Sequence, residues 1–161
     1  MGIMDYFLGG KKGEGARETG SGKQATGAGA PMASRPVERP FAISTKFSAL
    51  RLRTGRNSKI FLEVSVKNVS STKQLVSVDL GLPLNSKIGF DVNCSQNYVE
   101  KRLGEVAPGA TNTFSVPIYA SGLTKEGSYT VEINAFSHYI DYKKVLSQMK
   151  KKVALRAVSG A

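Results

Sequence analysis

The stretch IFLEVSVKNVSSTKQLVSVDLGL, residues 60–82, decides the fold class of this 161-residue chain. Apolar side chains occupy every second position on both sides of its middle, at residues 60, 62, 64 and 66 and again at 76, 78, 80 and 82. This alternation predicts two β-strands, each with one buried face. The polar run NVSSTK, residues 68–73, predicts a turn between them, so we expect a hairpin-like pair that ends at Pro83.

The same alternation recurs in the second half of the chain, at residues 113–120 and 129–136. Proline lacks a backbone donor, so Pro117 predicts an edge position or a bulge for the first of these strands. Weaker strand patterns lie at residues 42–52, 88–93, 98–103 and 152–158. Seven or eight short strands, separated by turns about every 8 to 12 residues, predict an all-β sandwich.

Residues 141–150 leave two structures open. Tyr142, Val145, Leu146 and Met149 have the i, i+3, i+4, i+7 spacing of one helical face, which favours a helical turn or two. A long final hairpin accounts for the same residues equally well.

Three stretches resemble a known family. LEVSVKNVSSTKQLVSVDL, residues 62–80, is similar to the second and third strands of prokaryotic immunoglobulin-like modules of the CARDB type, a group associated with cell-adhesion proteins. LGEVAPGATNTFSVPI, residues 103–118, resembles their Leu-Gly-x-Val-x-Pro-Gly turn into the fifth strand. GSYTVEINA, residues 127–135, resembles the strand that follows, with Tyr129 placed like a tyrosine corner. The resemblance implies an antiparallel immunoglobulin-like β-sandwich over residues 41–158.

The N-terminal part of the chain differs in composition from the rest. Residues 1–12, MGIMDYFLGGKK, combine an apolar stripe with basic residues. The candidate anchor residues are Ile3, Met4, Phe7, Leu8, Lys11 and Lys12. As a short helix this segment would enter a membrane interface or dock in a groove of a partner, whereas a disordered start is the alternative. Residues 13–40 are rich in Gly, Ala, Ser and Pro and are expected to form a flexible linker, so that a disordered tail precedes the sandwich.

The formal net charge of +11 is concentrated in the predicted sandwich, where residues 41–161 hold seventeen Lys or Arg against eight Asp or Glu. Such an excess favours attraction to nucleic acid, anionic lipid or an acidic protein surface. The candidate basic patch comprises Arg51, Arg53, Arg56, Lys143, Lys144, Lys150, Lys151, Lys152 and Arg156. If these residues share one face, they form a phosphate-binding surface; the alternative is a solvated face that only keeps the protein in solution.

Candidates for catalysis are few. His138, the only histidine, lies on the polar side of its strand near Asp141, and no GxSxG nucleophile motif accompanies it. Cys94, the only cysteine, excludes an intrachain disulfide and is expected to be a small packing residue. The carboxylates of the sandwich are dispersed, without DxD or ExxH spacing. The sequence therefore predicts no catalytic residues, no metal, no cofactor and no small-molecule substrate.

These observations lead to two hypotheses of different classes. The first is a non-enzymatic interaction or scaffold module with a protein partner, tethered to a membrane surface or a larger complex by its N-terminal segment. The second is polyanion binding, to nucleic acid or anionic lipid, through the basic face of the sandwich. No apolar run approaches the roughly 20 residues of a membrane-spanning helix, and no secretory signal is recognisable. We therefore expect a cytoplasmic location, peripheral to the membrane if the N-terminal segment is an anchor.

Overall fold

The computed structural model describes residues 39–55 and 57–160, which form nine β-strands. The strands are β1 (Phe41–Phe47), β2 (Leu52–Arg53), β3 (Ser58–Asn68), β4 (Gln74–Gly81), β5 (Ile88–Gly89), β6 (Tyr98–Val106), β7 (Thr111–Ala120), β8 (Gly127–His138) and β9 (Val145–Val158). In the part of the chain that the structure describes, no helix is long and apolar enough to cross a membrane.

The strands form two sheets that pack face to face. One sheet has the strand order β1-β3-β7-β5, and the other has the order β2-β9-β8-β4-β6. The pairs are antiparallel except for β2 and β9, where Leu52 and Arg53 lie parallel to Ala157 and Val158. β1 therefore lies in one sheet, and the short strand β2 that follows it joins the other sheet beside β9. This all-β arrangement is the antiparallel immunoglobulin-like β-sandwich that the sequence predicts.

The core lies between the sheets and is built by the same alternation that predicts the strands. One side chain in two is buried along β3, and the residues between them face outward. The buried rows include Ile60, Leu62, Val64, Val66, Val116 and Ile118 from one sheet and Val76, Val78, Leu80, Val131, Ile133, Ala135 and Leu155 from the other. Because each fully buried aliphatic side chain contributes about 1.5–3 kcal/mol, these rows are the main source of stability.

Two features that the resemblance implies are present at the corners of the sandwich. The hydroxyl of Tyr129, near the start of β8, donates a 2.6 Å hydrogen bond to the carbonyl of Lys125, which makes it a tyrosine corner. Pro108 and Gly109 form the tight turn between β6 and β7, closed by a 3.0 Å hydrogen bond from Ala110 N to the carbonyl three residues earlier. Gly109 has a φ of 75°, a conformation that glycine adopts without strain.

The expected pairing of β3 with β4 is wrong. β3 pairs with β1 and β7, whereas β4 pairs with β6 and β8 in the opposite sheet. The connection at residues 69–73 therefore crosses between the sheets. Asn68 holds this crossing: its buried side chain donates to the carbonyls of Thr72 (2.8 Å) and Val106 (2.9 Å). Its Oδ1 accepts hydrogen bonds from Ser70 N (2.9 Å) and Ser70 Oγ (2.6 Å).

Of the two structures left open for residues 141–150, the long final hairpin is the one that forms. β8 and β9 pair along their lengths, and residues 139–144 close the loop. In this hairpin the residues with helical spacing do not share one face. Met149 packs against the core, whereas the Tyr142 hydroxyl accepts a 3.0 Å hydrogen bond from Gly104 N on β6.

Pro117 lies in a part of β7 whose outer edge has no partner strand in the described region, because β5 pairs with β7 only at Tyr119 and Ala120. β7 is thus an edge locally at Pro117, although the strand as a whole lies between β3 and β5, and its register with β3 shows no bulge there. The weak strand pattern at residues 88–93 is reduced to the two residues of β5, and the following residues form a loop.

Candidate interaction surfaces

The predicted N-terminal anchor lies outside the described residues. This applies to Ile3, Met4, Phe7, Leu8, Lys11 and Lys12, and also to Arg56 of the candidate basic patch. The anchor and the flexible linker therefore stay predictions.

Three residues of the candidate basic patch share the outer face of β9. Lys150, Lys152 and Arg156 are exposed and alternate with residues that face inward. Lys152 Nζ lies 3.2 Å from Glu132 Oε1 on the neighbouring strand β8, so one of the three charges is paired. Farther across the same sheet, β4 and β6 add acidic residues to this face. The outer face of the sheet is therefore mixed in charge.

The other described members of the patch lie in three different places. The lysines at 143–144 belong to the β8–β9 loop, at one end of the sandwich. Arg51 directly precedes β2 and Arg53 belongs to it, at the opposite end. Lys151 points toward the other sheet, where its Nζ donates a 3.0 Å hydrogen bond to the carbonyl of Ile43 on β1. Lys151 thus bridges the two sheets along one side of the sandwich.

The outer edge of β9 is unpaired over most of its length. β2 covers this edge only at Ala157 and Val158, so within the described residues no strand pairs with it from Val145 to Arg156. Thr54 N donates to Val158 O at 2.8 Å, which shows that Val158 directs its backbone groups outward, away from β8. Backbone groups alternate in direction along a strand, so the other even-numbered residues of β9 do the same.

Two outward-facing backbone positions lie near the middle of this edge, at Gln148 and Lys150. Their N–H and C=O groups point away from β8 and are placed to bond an added strand. Lysines on an edge strand discourage unselective strand pairing, because a second cationic strand is repelled. The same charges attract a strand that carries carboxylates.

A groove of about 590 Å³ opens beside the start of β9. It is lined by Arg39, Pro40, Val69, Ser70, Ser71, Thr72, Gln74, Ser137, Leu146 and Ser147. Val69 and Leu146 are 50% and 56% exposed, and Ile140 in the adjacent β8–β9 loop is 83% exposed. Apolar side chains that cluster in this way mark interaction surfaces more often than scattered ones do.

His138 lies on the outer face of β8, as its strand position predicts, but it is buried rather than solvated. The ring of Tyr142 covers it, with the two ring centroids 5.1 Å apart. His138 Nε2 lies 2.7 Å from Ser77 Oγ, and Nδ1 has no hydrogen-bond partner within the described region. Asp141, which is near His138 in sequence, does not supply a partner for Nδ1, and its Oδ1 accepts a 2.9 Å hydrogen bond from Lys143 N.

The Ser77–His138 pair resembles two thirds of a hydrolytic triad, but its surroundings differ from those of a nucleophile. Ser77 is 3% exposed, so its hydroxyl cannot reach the carbonyl of a substrate in this arrangement. A catalytic histidine also needs a group that orients its second nitrogen, and here that nitrogen faces no acceptor among the described residues. The pair is therefore arranged as a buried polar contact between β4 and β8.

Cys94 packs in the loop between β5 and β6, where its Sγ lies 3.4 Å from the carbonyl of Tyr119. Burial raises the pKa of the Cys94 thiol, and the charge of Asp91 adds to this effect, so little thiolate is present at neutral pH. Hydrogen bonds from Gln96 N and Ser95 hold the pKa of the Asp91 carboxyl below its usual value. Within the described part of the chain, no three His, Cys, Asp or Glu residues form a group that could hold a metal ion.

Sequence reasoning missed the free edge of β9 and the Ser77–His138 pair. A signal for the edge exists, since three consecutive lysines at 150–152 within an alternating strand are typical of an edge position. No sequence signal marks the pair, because the two residues lie 61 positions apart and belong to neighbouring strands only in the folded sheet.

No protein-family model matches the sequence, and no curated protein matches it. Among solved structures, α-2-macroglobulin from Escherichia coli aligns with 73% of this chain at 16% identity and a TM-score of 0.48. The bacterial hydrophobin BslA aligns with 75% of this chain and 95% of its own, at 13% identity and a TM-score of 0.46.

The chain spans only 7% of the length of that α-2-macroglobulin and 7% of the Salmonella protein of the same name. At such identities a likeness concerns the fold alone. The assignment to an immunoglobulin-like sandwich rests on the strand order and the tyrosine corner described above.

Proposed function

We propose that this chain is a non-enzymatic protein-interaction module that accepts an extended acidic segment of a partner along the free edge of β9. The observation that carries the proposal is the absence of a partner strand, in the described structure, from Val145 to Arg156. A strand added here gains main-chain hydrogen bonds to the outward groups of Gln148 and Lys150, and this supplies affinity without a deep pocket.

Side chains on the two faces of the added strand would meet different surroundings. On the outer face they meet Lys150 and Arg156, neither of which has an ion-pair partner in the described region. On the other face, near the start of β9, they meet the groove with Val69 and Leu146. The expected segment therefore carries carboxylates on one face and apolar side chains on the other, at alternate positions.

The tether and the cytoplasmic location belong to the same proposal, in which residues 1–12 hold the sandwich at a membrane surface or in a larger complex. The proposal also includes the classification of this sandwich as an immunoglobulin-like module of the CARDB type. Its support is the resemblance in the strands and turns that build the sandwich, including the tight turn at residues 108–109 and the corner at Tyr129.

Binding of two labelled peptides to the full-length chain tests the strand addition. The probe is a peptide of roughly ten residues that alternates valine and glutamate, the length of a long strand. Its matched control alternates valine and lysine. We expect the acidic peptide to raise fluorescence anisotropy on binding and the basic peptide to leave it unchanged, because only the former complements the charge of β9.

The substitution Gln148→Pro removes one outward N–H from the edge and leaves the ladder to β8 intact, since even-numbered residues face away from β8. We expect it to weaken binding of the acidic peptide about tenfold or more, through the lost hydrogen bond and the altered strand geometry. Gln148→Ala, the matched control, should bind like the wild type. If a folded Gln148→Pro protein binds the peptide as well as the wild type does, or the acidic peptide does not bind at all, the proposal is wrong.

A further inference from the structure

Three leucines are exposed at the end of the sandwich opposite the β8–β9 loop. Leu50 is 95% exposed, Leu84 is 78% exposed and Leu123 is 73% exposed. They belong to the loops at 48–51, 82–87 and 121–126, which follow β1, β4 and β7. The strand registers bring the ends of these three strands to the same end of the sandwich.

Hydrogen bonds hold two of these loops in place. Thr124 Oγ1 and Ser121 Oγ both donate to the carbonyl of Lys87, at 2.6 and 3.1 Å, and so tie the second loop to the third. Ser86 Oγ donates to the carbonyl of Pro83 at 2.7 Å within the second loop. The backbones that carry Leu84 and Leu123 are therefore organised, and the exposure of these two side chains is a consequence of the loop structure.

Cations outnumber carboxylates on and next to the three loops, where Glu126 is the one exposed acidic residue among the described positions 48–53, 82–87 and 121–126. Arg51, Arg53, Lys87 and Lys125 are exposed on the same loops or next to them, and no ion pair of the described residues involves any of the four. Between Leu50 and the two arginines lies a shallow groove of about 440 Å³. This end thus offers exposed leucines on three loops, with four cations against one carboxylate on or next to the same loops.

We propose that this end of the sandwich is a contact surface for an anionic membrane. The three leucines enter the interfacial region of the bilayer, and the four cations meet lipid phosphates. Leucines exposed singly need no explanation, but three on separate loops at one end, accompanied by a net positive charge on those loops, complement an anionic lipid surface in both polarity and charge. The inference is independent of strand addition, because end-on contact leaves the β9 edge open along the side.

Flotation of the full-length protein with vesicles tests this surface. The vesicles contain phosphatidylcholine alone or phosphatidylcholine with phosphatidylserine, at low and at physiological salt. The test variant combines Leu50→Ser, Leu84→Ser and Leu123→Ser. Its matched control combines Val69→Ser, Ile140→Ser and Leu146→Ser, three exposed apolar residues at or near the opposite end.

We expect the loop variant to lower the partition coefficient for phosphatidylserine vesicles about tenfold or more, and the control variant to leave it unchanged. Replacing the four cations with glutamine should also lower it and weaken its dependence on salt. A further variant, with serine at residues 3, 7 and 8, separates this surface from the predicted N-terminal anchor. If only that variant loses flotation, or if the wild type does not float, the inference is wrong.

The absence of tryptophan from the sequence allows a direct test of depth. The Leu123→Trp protein should show a blue-shifted emission on addition of phosphatidylserine vesicles, and brominated lipids should quench it. Ile140→Trp, at the opposite end, should show neither change. Equal responses at both positions would contradict an oriented contact. Either result leaves the peptide-binding test of the β9 edge unaffected, because that test uses the chain without either tryptophan.

Discussion

Replacing Asn68 with alanine removes the side chain that holds the crossing between the two sheets. Asn68 is buried and makes two hydrogen bonds as a donor and two as an acceptor, one of them to the buried carbonyl of Val106. Each such bond contributes about 0.5–1.5 kcal/mol net, and a buried group left without a partner costs about 1–3 kcal/mol. Because the loop can recover some bonds with water, we expect Asn68→Ala to lower the free energy of unfolding by roughly 2–4 kcal/mol.

Urea unfolding followed by far-UV circular dichroism measures this change. Ser71→Ala, an exposed position in the same loop, serves as the control and should stay within about 0.5 kcal/mol of the wild type. Asn68→Asp keeps the acceptor but sets a carboxylate oxygen against two carbonyls, so it should destabilise at least as strongly at neutral pH. A loss of less than about 1 kcal/mol for Asn68→Ala would refute the role of this side chain in the crossing.

Three other substitutions test single contacts of the fold. Tyr129→Phe removes the corner hydrogen bond and should lower the free energy of unfolding by about 0.5–1.5 kcal/mol, measured by urea unfolding; an unchanged midpoint would show that the corner does not stabilise the fold. Gly89→Ala places a Cβ 2.5 Å from a backbone carbon of the next loop, so it should cost about 1–3 kcal/mol or more, whereas Gly122→Ala, which meets nothing within 4 Å, should be nearly neutral. The Asp79 carboxylate interacts with the hydroxyl of Tyr98 and raises the pKa of Tyr98 to about 12. The stability that this provides is present below the ordinary phenol pKa of about 10 and is lost as the pH rises through 12. Phenolate absorbance of the wild type minus Tyr98→Phe should show the late titration, and a difference curve centred near 10 would contradict it.

The sequence was sufficient to predict most of the strands, because each buries one face and leaves the other in solvent. The apolar row from Ile60 to Val66 and the row from Val76 to Leu82 are both in the core, as predicted. Alternation does not specify the partner of a strand, however. Two strands with one apolar face each satisfy the pattern either side by side or facing one another across the core, and the hydrogen bonds of Asn68 belong to the second arrangement.

The candidate sites were harder to predict because they depend on neighbours that are distant in sequence. The polar side of β8 was the correct place for His138, but its burial depends on Tyr142, which folds back over the sheet. The three lysines at 150–152 were grouped by adjacency, yet period-two geometry sends Lys151 to the opposite face, toward Ile43. β9 has a free edge because β2, its neighbour in the sheet, has only two residues. Nothing in the sequence around residues 52–53 predicts so short a strand.

Amide hydrogen exchange along β9, measured residue by residue by NMR on the full-length protein, tests the central claim most directly. If the edge is free, the outward amides of Gln148 and Lys150 exchange rapidly, whereas the inward amides of Met149 and Lys151 are protected by their bonds to β8. This alternation of fast and slow positions is the result that we predict. Uniform protection from Val145 to Arg156 would contradict it, because another strand would then already occupy the edge.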